Sequence, residues 1–131
     1  MSKPIVEVSL RSIEGGRSKA RAVFDTGSYY SIIQAAKLPP RTQVLRYHKA
    51  EQFKTAAHGG RLEVTGATLL FIQVGKKVIR HEVLVSPNLS QEMRIGAGAM
   101  QAWDITIHNG GGRTRVTVGK DVRDPDVTEV D

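Results

Sequence analysis

From Ile5 to Leu10 the chain alternates, Ile-Val-Glu-Val-Ser-Leu, the period-two pattern of a strand with one buried face. Glu14-Gly15-Gly16-Arg17 supplies hairpin chemistry, and Ala20–Phe24 returns as a second strand. Asp25-Thr26-Gly27-Ser28 interrupts it, and a short apolar segment through Ile32-Ile33 ends at Lys37-Leu38-Pro39-Pro40. Strands are then predicted over Gln43–His48, Ala50–Ala57 and Arg61–Phe71, the last two joined across His58-Gly59-Gly60. Val78–Val85 follows the turn Gly75-Lys76-Lys77, and Ser86-Pro87-Asn88 marks a loop. Ala97–Trp103 has the one helix-forming composition, although Gly98 weakens it by about 1 kcal/mol relative to Ala. Ile105–His108 and Arg113–Val118 make a last hairpin across Asn109–Gly112.

Short strands at regular spacing with glycine turns predict an all-β barrel or sandwich. A length of 131 residues suits one domain. Apolar residues at 40% and charged residues at 24% are a globular mix, which excludes a disordered chain. Without cysteine, disulfides and cysteine-based metal sites are excluded, so packing alone must hold the fold. Leu69–Val85 is the most apolar stretch, but Gly75-Lys76-Lys77 and Arg80-His81-Glu82 cut it too often for a membrane span. The start carries no uninterrupted apolar run of the signal-peptide kind, so a cytoplasmic location and no membrane partner are expected.

Charge divides the chain. Residues 1–119 hold 17 Lys and Arg against 8 Asp and Glu, and residues 120–131 hold 2 against 5. A basic body attracts nucleic acid in some proteins. Here no zinc-finger, helix-turn-helix or aromatic RNA-binding pattern accompanies the charge, so scattered cations on solvated strand faces are the simpler account.

The chemistry concentrates at Val23-Phe24-Asp25-Thr26-Gly27-Ser28, where two apolar strand residues run straight into a carboxylate. A carboxylate at the end of a buried strand is costly unless it is hydrogen-bonded or serves a reaction. Gly27 is expected to adopt a turn conformation closed to other residues and to let backbone N–H groups approach the acid. Thr26 and Ser28 offer hydroxyls, and Ser28 is expected to donate to Asp25. An ordinary Asx turn is the competing account of the tetrapeptide.

This segment resembles the active-site loop of the retropepsin-like, retroviral-type aspartic proteases. The resemblance runs from about residue 5 to 118. It includes the preceding hairpin and Thr55-Ala56-Ala57-His58-Gly59-Gly60, placed like the family's substrate-covering flap. It also includes Gly66 opening a strand, and Arg94-Ile95-Gly96 with its helix, placed like the second apolar-Gly motif. It implies a closed β-barrel of short strands with one short helix, assembled as a two-fold homodimer, with residues 1–119 as the protease domain. The acidic tail 120–131 is then a candidate interface strand.

The implied activity is peptide hydrolysis by water held between two Asp25 carboxylates, one from each chain, without metal or cofactor. Thr26 would lock the two loops together. Ala57, His58, Gly59 and Gly60 would form the flap, and Ile95 and Gly96 would support the loop. Departures are Arg94 in place of an apolar residue, Gly98 where an acid or amide is common, and Tyr29 and Ala97 where retroviral relatives carry an ion pair. Two other readings stay open: a non-catalytic module for dimerisation or peptide binding, and a basic β-barrel nucleic-acid binder.

Overall fold

In the computed structural model, residues 3–54 and 60–123 are described. Strands β1 (Ile5–Ser12) and β2 (Arg17–Asp25) form the first hairpin, in the register Ile5↔Val23 through Arg11↔Arg17. Alternation buries Val8, Leu10, Ala20, Ala22 and Phe24 on one side. β3 (Ile32–Gln34) is short and buried and leads into a 3-10 turn at Ala35–Lys37.

β4 (Leu45–Lys54) is one strand where the sequence suggests two. Its pairing with β5 (Arg61–Val74) shifts register between Arg46 and Glu51, and that irregularity breaks the alternation into two apparent strands. Gly66 lies inside β5 rather than opening it, because a side chain there would meet the Leu45 carbonyl oxygen at 2.5 Å. β6 (Lys77–Ser86), β7 (Met93–Gly96), helix α1 (Ala97–Ala102) and the hairpin β8 (Ile105–Gly110)–β9 (Arg113–Val118) complete the described elements.

The main sheet runs β1-β2-β7-β3-β6-β5 and closes on itself through β1–β5, with β4 attached to the far half of β5. It is a six-stranded barrel, as the retropepsin-like resemblance implies. β2–β7 and β3–β6 are parallel pairs, which is why the two halves of the chain meet at the barrel's end. Its interior is filled by Leu10, Phe24, Ile33, Leu70, Ile72, Ile79, Met93 and Ile95, each at most 2% exposed. A fully buried side chain of this kind is worth roughly 1.5–3 kcal/mol. A second apolar cluster, Ile32, Leu62, Val64, Ala67, Leu84 and Leu89, lies beside the first with Phe53 and Tyr47 against it. That cluster forms one wall of the cleft that ends at Asp25.

Candidate active site

Asp25 is the last residue of β2, and its parallel neighbour across the sheet is Gly96 of β7. The contact between the two loops is close. Ala97 N–H donates to the Ser28 carbonyl at 2.6 Å, and Gly98 N–H donates to the Tyr29 carbonyl at 3.0 Å. A Cβ at position 96 would stand 2.6 Å from the carbonyl oxygens of Ser28 and Tyr29 and nearer still to that of Tyr30, so only glycine fits. Ser31 Oγ accepts from Gly96 N–H at 3.1 Å, and Ile95 is fully buried beneath. The second motif thus clamps the segment that follows Asp25.

The Asp25 carboxylate is 8% exposed as a residue and held by three groups. Gly27 N–H donates to Oδ1 at 2.9 Å, Lys3 Nζ lies 3.0 Å from Oδ2, and Arg94 Nε stands 3.9 Å from the same oxygen. Burial pushes the carboxyl up. The Lys3 ammonium, the Gly27 N–H and the Arg94 charge more than offset it, so Asp25 titrates below its ordinary value. In the isolated chain it is a carboxylate, ready to accept a proton.

Several expectations about this loop need correction. Ser28 Oγ donates to the Tyr30 carbonyl at 3.1 Å and not to Asp25. Gly27 has no positive φ. Its role is proximity, since a Cβ there would sit 3.2 Å from Asp25 Oδ1 and crowd the bond its own N–H makes. Thr26 is exposed at the loop's tip. The loop therefore holds its acid with backbone rather than hydroxyls.

Two groups in the site were not assigned to it from the sequence. Lys3 follows from the β1–β2 register, which continues through the bond from Phe24 N–H to the Pro4 carbonyl and sets Lys3 across from Asp25. Arg94 alternates with the buried Met93 and Ile95 of β7 and pairs with Ile32 of β3, so its side chain leaves the barrel on the cleft side. Gln91 Oε1 accepts from Arg94 Nε at 3.3 Å and from Nη2 at 2.9 Å, and orients the guanidinium.

The departures at 29 and 98 belong together. The Tyr29 ring occupies the space beside Gly98, 3.1 Å from where a Cβ would be, so an aromatic ring fills the place that a polar side chain at 98 would need. Tyr29 also meets Tyr30 edge-on at 5.2 Å, and Tyr30 lies 5.7 Å from Phe53.

Asp25 opens on a cleft of about 640 Å³ whose walls include Tyr30, Ile32, Phe53, Leu62, Leu89 and Arg94. Gly60 lies on its rim; Ala57, His58 and Gly59 of the expected flap fall outside the described residues. Of the acidic tail, Asp121 is buried and accepts from Val78 N–H at 2.8 Å. Residues 124–131 are also outside the description.

The architecture and sequence agree with known proteins. The family model described as retroviral aspartyl protease matches residues 1–108. No curated protein matches the chain. Among solved structures, EIAV protease complexed with the inhibitor HBY-793 superposes with a TM-score of 0.52 at 18% identity, covering 77% of this chain and 88% of that one. The retroviral protease-like domain of Ddi1 from Leishmania major superposes with a TM-score of 0.57 at 13% identity, covering 90% and 94%. At such identities the likeness is one of fold. The family match spans most of the chain and includes Asp25 and Gly96, and by it the chain belongs to the retroviral aspartyl protease family.

Proposed function

We propose that the protein is an aspartic endopeptidase whose site is completed by a second copy of the chain. The observation that carries this is the Asp25 carboxylate. It is buried in a cleft wall, fixed by Gly27 N–H and Lys3, and clamped from behind by Gly96. One described chain brings one such loop, and the hydrolysis needs two carboxylates. A two-fold axis beside the Thr26 tips places them together, in the isologous manner of homodimers.

Two carboxylates about 3 Å apart share one proton and titrate as a pair. The ionised Asp25 takes a proton from water as its oxygen bonds to the scissile carbonyl carbon. The protonated Asp25 of the other chain gives its proton to the carbonyl oxygen. Collapse of the tetrahedral intermediate breaks the C–N bond: the proton taken from water passes to the leaving amine, and one hydroxyl proton returns to the other Asp25 as the carbonyl re-forms, restoring the shared-proton pair. Residues 1–119 form the protease domain in this reading, and the substrate is a peptide or protein strand lying along the cleft.

Dilution tests it. Specific activity falls once the chain is below its dimer dissociation constant, and excess Asp25→Asn chains poison the parent by forming mixed dimers. Undiminished specific activity in a monomer, measured by ultracentrifugation at the assay concentration, refutes the two-chain mechanism.

A second reading, a peptide-binding module without catalysis, draws on the Lys3–Asp25 ion pair, which already satisfies the acid. It predicts peptide binding without turnover in the parent. Turnover by the parent that Asp25→Asn abolishes excludes it.

A further inference from the structure

Arg94 is a cation in the cleft wall, among the apolar side chains of Ile32, Leu62 and Leu89 and close to the polar Gln91. It stands in register with Ile32, beside Leu62 and Leu89, and its side chain is 21% exposed. A partly buried guanidinium costs solvation and is kept only where it finds acceptors. Gln91 engages Nε and Nη2. Asp25 Oδ2 is 3.9 Å from Nε and is already held by Lys3 at 3.0 Å. The remaining N–H donors of the fork make no hydrogen bond to the described residues and face the solvent of the cleft, where a ligand can reach them. Asp25 is the one acid among the described residues lining this cleft, while Lys3 sits beside it and Lys54 and Arg61 lie on the rim. Lys54 and Arg61 are direct cross-strand partners, a like-charge pair that is unfavourable unless an anion comes near.

Resting on the protease reading above, we propose that Arg94 determines specificity: the pocket flanking the scissile bond takes an acidic side chain, Glu or Asp, where an aliphatic wall would take Leu or Ile. Arg94 lies within one side chain's reach of Asp25, so the residue it meets is the one next to the bond being cut. A carboxylate there receives charge-assisted hydrogen bonds from a guanidinium already oriented by Gln91. A Lys or Arg in the same place meets a cleft of its own sign and is rejected. In the dimer the same arginine stands on both sides of the bond.

The test uses the parent chain and peptides whose scissile amide is replaced by a non-hydrolysable hydroxyethylene, with Glu, Leu or Lys next to it. The Glu peptide is expected to bind about tenfold tighter than the Leu peptide, the worth of one or two hydrogen bonds to a charged group, and the Lys peptide weakest. Arg94→Leu is expected to invert the Glu–Leu order, and Arg94→Lys to keep a reduced Glu preference. Affinity for the Glu peptide should also fall more steeply with salt than that for the Leu peptide, a measurement that needs no variant. Equal Glu and Leu affinities, or a Glu preference surviving Arg94→Leu in a chain of unchanged circular dichroism, overturns the assignment. Binding of neither peptide overturns it as well. Glu-selective binding by a parent that cleaves no amide version sinks the protease reading and leaves Arg94's assignment standing.

Discussion

Asp25 and Asp121 are both buried aspartates with a cation beside them, yet they are built for opposite ends. Asp121 is saturated. Its oxygens accept from Val78 N–H at 2.8 Å, from Arg123 N–H at 2.7 Å, and from Arg123 Nε and Nη2 at 3.0 and 2.7 Å. Arg123 also donates to the Lys76 carbonyl, so the end of the described chain is stapled to the start of β6. Asp25 accepts one backbone N–H and one lysine that is itself 57% exposed, and it borders the cleft. Both carboxyls titrate below their ordinary value. For Asp121 the side-chain bond from Arg123 is the largest cause; for Asp25, burial pushes the other way and is overcome by Lys3 and Gly27. Burial and a low pKa are thus common to a structural staple and to the acid proposed for catalysis. The difference is the acceptor capacity left on the oxygens and a cavity beside them.

The contrast can be broken by swapping the two acids for non-ionising residues. Asp25→Asn is expected to cut turnover by about 10⁴-fold or more while leaving the melting temperature near the parent's, since the scaffold around it is backbone. Peptide hydrolysis and calorimetry on the same preparation check it. Asp121→Ala should do the reverse. Val78 N–H and the Arg123 guanidinium lose their acceptor, the melting temperature falls by several degrees, and activity per folded chain stays at the parent's level. Activity lost in step with Asp25→Asn would abolish the distinction.

Lys3→Met sharpens it. The ammonium favours the ionised carboxylate, so removing it lets the proton persist to higher pH, and both limbs of the rate–pH profile move upward. A profile that stays in place removes Lys3 from the site. The same pKa direction has a stability side. A depressed carboxyl stabilises the fold above its unfolded pKa, and that contribution is lost as pH falls through its folded value. The Asp121 staple, being the more strongly depressed, should outlast the Lys3–Asp25 pair on acidification, as chemical shifts of the two carboxyls would record. The smallest effect is expected from Ser28→Ala. It removes the bond to the Tyr30 carbonyl, costing about 0.5–1.5 kcal/mol of stability, and leaves the rate–pH profile where it was.

Most of the barrel was legible because alternation and glycine turns are local signals. The β1–β2 hairpin, the long β5–β6 pair and the β8–β9 ribbon all follow from them. Asp25 was legible because a carboxylate after Val23-Phe24 violates the pattern. What the pattern hid depended on register. Lys3 stands across from Asp25 only once the turn at Gly15-Gly16 is placed to the residue, and Arg94 faces the cleft only once β7 is docked between β2 and β3. Ser28 illustrates the opposite error. A hydroxyl three positions from an acid is in range on paper, but the backbone carries its Oγ to the Tyr30 carbonyl. Asp121 sat in the acidic tail expected as a candidate interface strand, whereas the Asp-x-Arg spacing makes a local ion pair that folds back onto the body of its own chain.

The parallel pairing of β2 with β7 also sets when the Asp25 loop is completed during synthesis. Arg21 N–H donates to Glu92, 71 positions later, and Asp25 is not backed by Gly96 until that span has closed. Contacts of such separation form late, because the loop entropy must be met before they return anything. A nascent chain can therefore build the first hairpin with its Asp25 and still hold no clamped loop. The loop that carries Asp25 is assembled only when nearly the whole barrel has left the ribosome.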